Sequence, residues 1–212
     1  MTMRDFFLGL LGLQQSKARR PHGTPEELTD RARSLRELRR YDEAIDLLKS
    51  IVDEYPGALC VLGNTLRDAG RPQEALAYFK RGVQLADQVG IKENMAAMWL
   101  ACECMANLGE LLWKRGDKLN GIRQLEEAVA LWPSVPRDER ERQAKSMALS
   151  AIYLSLAQKC MSVGAESEGR RWAVKRLECV PDCPEALGIC LRGLVEDCAA
   201  KGIAVNVTLR PK

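Results

Sequence analysis

Aromatic rings and histidine are the scarcest features of this chain: aromatics make up 5% of its 212 residues, and the one histidine is His22. Ala, Leu, Glu and Arg recur in their place, which is the composition of helices. A single histidine leaves the serines and cysteines without their usual catalytic base, and no glycine-rich phosphate loop follows a strand, so nothing here supports catalysis. Eight cysteines are present, yet none forms a Cys-x-x-Cys pair. Zinc frameworks use close paired ligands, and only Cys179 and Cys183 approach that spacing, with Pro181 between them and no second pair. The cysteines are therefore expected to be small core residues in a reducing, cytoplasmic compartment, and neither a metal nor another cofactor is expected. No apolar run approaches the roughly 18 residues of a spanning helix, which excludes an integral helical membrane protein.

Charge of one sign is missing from most of the chain as well. The formal charge is +3, from 32 basic and 29 acidic residues. Residues 1–22 carry Arg4, Lys17, Arg19 and Arg20 against Asp5, which accounts for the whole excess; the other 190 residues hold 28 of each sign. A nucleic-acid-binding body carries a clustered basic face, so this balance argues against that partner. A chain with 46% hydrophobic residues is globular, and at this length it would bury roughly 70% of its unfolded surface.

Helix punctuation begins at Thr24-Pro25-Glu26-Glu27, a Thr cap, a Pro at the first helical position and an acid three residues after the cap. Breaks follow at Pro56-Gly57, Gly70-Arg71-Pro72, Gly90, Gly116-Asp117, Pro133 to Pro136, Gly164 and Pro181 to Pro184. Between them apolar residues recur at three and four, as in Met105, Leu108, Leu111 and Leu112. The helices repeat. Ala44, Ala75, Gly121 and Gly169 hold equivalent small positions, each followed twelve residues later by Pro56, Asp87, Pro133 or Pro181. Upstream of each lies a large-small pair, Arg31-Ala32, Leu62-Gly63, Leu108-Gly109 and Leu156-Ala157, with Leu35, Leu66, Leu112 and Cys160 completing the pattern.

This arrangement resembles the tetratricopeptide repeat family, which pairs two antiparallel helices in about 34 residues with small residues where they cross. The resemblance covers roughly residues 25–181 and implies an all-α fold. That fold is a right-handed superhelical solenoid of antiparallel helix pairs with a C-terminal capping helix. The expected organisation is a basic and apolar arm over 1–23 and about four helix pairs over 24–181 (roughly 25–56, 57–89, 91–133 and 137–181). A capping helix over 182–201 and an extended tail over 202–212 follow. The small positions lie 31, 46 and 48 residues apart; the excess over the family's length is expected in longer first helices, near 91–115 and 137–163.

The family's concave groove is lined chiefly by first-helix residues. Counting from the small positions, the resemblance places there Arg33, Arg36, Asn64, Arg67, Asn107, Glu110, Trp113 and Lys114, with Leu154, Gln158 and Met161 in the fourth repeat. An asparagine amide offers a donor and an acceptor to a peptide backbone, and arginine forks onto carboxylates. Chaperone-binding members hold a terminal carboxylate with basic residues and asparagines. The matching positions here are Thr29, Arg33, Val61, Glu103 and Asn107, and Glu103 would repel that ligand. The expectation is therefore a non-catalytic scaffold or adaptor for a protein or peptide, an acidic segment with an apolar anchor. The mixed run Arg137 to Arg142 reads as a solvated helix face.

Two segments lie outside the repeats. In the arm, Phe6, Phe7, Leu8, Leu10, Leu11 and Leu13 precede Lys17, Arg19 and Arg20, and no small-x-small cleavage site follows. Docking on repeat one or on a partner, weak anchoring to an anionic membrane surface, and absence of fixed structure all stay open. The alternative function is accordingly a membrane-surface-recruited assembly factor or chaperone. Beyond Pro184, Leu187, Cys190, Leu191, Leu194 and Cys198 share a stripe expected to cover the last apolar face of the array. The alternating Ile203, Val205, Val207 and Leu209 are strand-like, either packing along that helix or adding to a partner's sheet edge.

Overall fold

A computed structural model of the chain describes residues 22–89, 95–132 and 138–200. The arm residues Phe6, Phe7, Leu10, Leu11, Lys17, Arg19 and Arg20, and the alternating tail, lie outside the described residues. The described residues are all-helical: α1 Pro25–Glu37, α2 Tyr41–Ile51, α3 Ala58–Asp68, α4 Pro72–Val89, α5 Met95–Lys114, α6 Lys118–Ala130, α7 Glu139–Ser162, α8 Glu166–Cys179 and α9 Pro184–Ala200. They fall into two compact units, one ending at Ala75 and the other beginning at Leu76. Among the described residues no helix is long and apolar enough to cross a membrane.

In the first unit α1 packs on α2, α2 on α3, and α1 also touches α3. The second unit repeats this: α5 packs on α6, α6 on α7, and α5 on α7; then α7 on α8, α8 on α9, and α7 on α9. A first helix thus meets its own second helix and the next first helix, which is the stacking of a helix-pair solenoid. The first helices α5 and α7 are long, 20 and 24 residues against 13 in α1 and 11 in α3, and the second helix α4, with 18 residues against 11 in α2, adds to the longer step as well.

Local sequence explains how the helices start and stop. Glu27 N–H donates to Thr24 Oγ1 at 3.2 Å and Thr24 N–H donates to Glu27 Oε2 at 2.8 Å, a capping box with Pro25 in the first turn. Each helix pair turns through one backbone motif. Gly70, Gly116 and Gly164 have φ of 76°, 88° and 79°, and the next residue's N–H returns to the carbonyl of Leu66, Leu112 or Cys160. Repeat one builds the same turn on Arg39, at φ 59°, a left-handed conformation that costs a side-chain-bearing residue about 1 kcal/mol.

Where the helices cross, the small positions are required. A Cβ on Gly121 would stand 2.9 Å from the Gly109 carbonyl oxygen and 3.0 Å from the Trp113 nitrogen, and one on Gly109 would stand 2.8 Å from the Gly121 carbonyl oxygen. Both obstacles are backbone, so α5 and α6 approach this closely only through paired glycines. In the first unit Ala32 and Ala44 are fully buried at the equivalent positions.

The core of the second unit gathers Leu125, Trp132, Leu149, Ile152, Tyr153, Leu156 and Trp172. Tyr153 stacks on Trp172 with centroids 5.8 Å apart, and Trp99 meets Trp132 edge to face at 6.2 Å. Cys60, Cys102, Cys104, Cys160 and Cys183 are buried, and all eight cysteines are free thiols. Burial pushes the Cys102 thiol up to about 11, against the opposing pull of the Trp132 indole, and raises that of Cys160. These thiols are protonated core groups at neutral pH.

Two expectations are corrected. The stripe on α9 is covered only in part: Cys190 packs against the core as expected, but Leu187 and Leu194 are 37% and 52% exposed, and Ala186, Ile189 and Gly193 turn inward instead. Arg170 of α8 lies against Gly193, its Cδ 2.3 Å from where a Cβ on residue 193 would stand, so a side chain there would have to displace the arginine. The run near Arg137 is not uniformly solvated either. Asp138 caps α7, accepting from the Glu141 N–H at 2.7 Å, and Glu141 itself is only 2% exposed.

Candidate functional site

On α1, Arg33 Nη1 donates to Asp30 Oδ1 at 2.6 Å, one turn away on the same exposed face. Arg36 reaches across to α3, its Nε 3.5 Å from Asp68 Oδ2, and Arg67 Nη2 lies 3.2 Å from Asp68 Oδ1. One carboxylate therefore joins two guanidiniums from two successive first helices. Asn64 is turned inward: its Nδ2 donates to Cys60 Sγ at 3.6 Å, and its Oδ1 is buried without a hydrogen-bond partner. Thr29 and Val61, matched to the chaperone clamp, are buried, with the Thr29 hydroxyl donating to the Pro25 carbonyl at 2.7 Å.

On the corresponding face of the second unit, α5 and α7 are tied by Glu110. Lys159 Nζ donates to both Glu110 oxygens at 2.9 Å and to Ser155 Oγ at 2.8 Å, and the Ser155 hydroxyl donates to Glu110 Oε1. The Lys159 side chain is 11% exposed and that of Glu110 32%. Trp113 carries Lys159 Nζ at 5.2 Å and Lys118 Nζ at 5.5 Å from its ring centroid, so its faces are held by ammonium groups rather than open to an apolar anchor. Asn107 Nδ2 donates to the Glu103 carbonyl at 2.9 Å, and Lys114 is exposed.

Beside this network a cavity of about 240 Å³ opens between α5 and α7 over Leu125 of α6, with Ala106, Ala148, Ala151 and Ile152 as apolar walls and Glu103 on its rim. Sequence reasoning missed Ser155, Lys159 and the alanines. It placed the fourth-repeat face at Leu154, Gln158 and Met161; Leu154 packs against the core, and Met161 Sδ lies 2.7 Å from where a Cβ on Gly169 would stand, at the α7–α8 crossing. The Ser155-x-x-x-Lys159 spacing, one helical turn, was the available signal. Among the described residues no three metal-ligating side chains cluster.

A model of the tetratricopeptide repeat family matches residues 29–89. No curated protein matches the chain in sequence. Among solved structures, the chain is similar to a protein from Podosopora anserina with nearly identical TPR-like repeats, at TM-score 0.57 and 15% identity over 85% of this chain and 90% of that one. It is similar also to MamA, at TM-score 0.52 and 18% identity over 86% and 98%. A third is the C-terminal part of a TPR repeat-containing protein from Cytophaga hutchinsonii, at 0.51 and 15% over 93% and 74%. Identities this low carry the fold alone. Proteins of this repeat class are in general protein-interaction scaffolds without catalysis. Residues 29–89 thus match the tetratricopeptide repeat family, and both units stack their helix pairs as the solved TPR-repeat structures do.

Proposed function

We propose that the chain is a non-catalytic scaffold or adaptor that holds a segment of a partner protein on the face presented by its first helices, with α1 and α3 reading carboxylates of an acidic segment. The observation that supports this is the gathering of Arg33, Arg36 and Arg67 around the surface carboxylates of Asp30 and Asp68. Exposed pairs of this kind are worth about 1 kcal/mol or less. An incoming carboxylate exchanges with them at little cost and gains the forked guanidinium geometry. Asn64 takes no part in this reading until its amide rotates out of its own helix.

The test is fluorescence anisotropy with a 12-residue peptide of Glu and Asp around one Leu, against the same peptide with Gln and Asn. The full chain binds the acidic peptide, and Arg33→Glu with Arg67→Glu weakens it at least tenfold while the thermal midpoint stays put. Equal affinity for both peptides, or no change in the double variant, contradicts the assignment.

A further inference from the structure

We propose that the cavity between α5 and α7 receives a basic side chain of the partner segment, a lysine or arginine whose aliphatic stem lies on the alanines and whose charge meets Glu103. This rests on the scaffold reading and adds the chemistry of one subsite, built by residues of the second unit and not by the arginines of α1 and α3.

The cavity exists because the touching faces of two first helices carry small residues. Ala106 on α5 and Ala148 and Ala151 on α7 leave about 240 Å³ between the helices, with Leu125 and Ile152 beneath. A floor of methyl groups removes an aliphatic stem from water but gives no reason to prefer one stem over another. The rim supplies the preference. Of its two carboxylates, Glu110 is satisfied by Lys159 and Ser155. Glu103 is exposed and forms no ion pair among the described residues. An apolar side chain in the cavity would bring uncompensated apolar surface up to that carboxylate, and an acidic one would meet like charge. A lysine or arginine satisfies floor and rim together, burying its stem while its head stays at the wet edge.

The experiment is a methyl NMR titration of the full chain with acetylated heptapeptides Gly-Ser-Gly-Xaa-Gly-Ser-Gly, where Xaa is lysine, arginine, norleucine or glutamate. The lysine and arginine peptides shift the Ala106, Ala148, Ala151 and Ile152 methyl signals saturably. Norleucine binds about threefold more weakly, the range of a single exposed ion pair, and glutamate does not bind. Glu103→Gln brings lysine down to norleucine, and raised salt does the same in the wild type. Ala151→Phe, at an exposed position, fills the cavity and abolishes the response to every peptide. Norleucine binding as well as lysine, a lysine preference that survives Glu103→Gln, or silent cavity methyls each overturn the proposal. If the cavity is silent while the acidic peptide still binds through Arg33 and Arg67, the subsite alone falls. Loss of both removes the scaffold reading.

Discussion

At the scale of single residues, the packing of α5 against α6 turns on whether a methyl group fits. Gly121→Ala puts a Cβ 2.9 Å from the Gly109 carbonyl oxygen, and backbone cannot rotate away as a side chain can, so urea denaturation should show a loss of about 2–3 kcal/mol. Gly188 of α9 is the matched control, with nothing within 4 Å of its would-be Cβ; there alanine should stabilise by about 0.5–1 kcal/mol through helix propensity alone. A thiol supplies a pH signature. Cys102 is 1% exposed, and burial moves its ionisation from 9.0 to about 11. The unfolded chain releases that proton near pH 9 while the folded chain keeps it. The contribution is thus whole below pH 9 and is lost as pH rises towards 11, by roughly 2 kcal/mol. Tyr153, pushed by burial to about 12, acts in the same direction at higher pH. Cys102→Ala should therefore shrink, without abolishing, the fall in stability between about pH 8.5 and 10.5; an identical fall in the variant would contradict this account.

At the scale of helices, α7 is held to α5 by three hydrogen bonds onto Glu110, two from Lys159 and one from Ser155. Lys159→Met leaves the half-buried Glu110 carboxylate with the serine in place of the ammonium, and should cost about 1–3 kcal/mol. Adding Glu110→Leu should recover part of that loss, with a coupling near 1 kcal/mol in a double-mutant cycle. Additive losses would show that the network does not join the helices. What could be read in advance follows from the range of the interactions involved. The Thr24 capping box, the glycine turns and the small crossing residues are local or periodic signals, and they were legible. The face of α9 was not, because which residues turn inward depends on its contacts with α7 and α8, among them Arg170 against Gly193. Lys159 was likewise passed over, since nothing near it in sequence marks Glu110, 49 residues away, as its partner.

At the scale of the molecule, the residues beyond the arm hold equal numbers of basic and acidic groups, and these pair at the surface within and between neighbouring helices, as Arg40 on Glu43 and Arg71 on Glu74 do, each doubly hydrogen-bonded. Affinity for a partner then depends on which helix faces offer exchangeable groups, and not on a long-range field. We propose that the first helices hold that role. Selection of a displayed library of random 12-residue segments on the full chain tests this most directly. It would be run beside Arg33→Glu with Arg67→Glu on first helices and Lys49→Glu with Arg123→Glu on second helices. Carboxylate-bearing segments should be enriched by the wild type and by the second-helix variant, and lost with the first-helix variant. Enrichment that survives in the first-helix variant, or disappears in the second-helix variant alone, would contradict it.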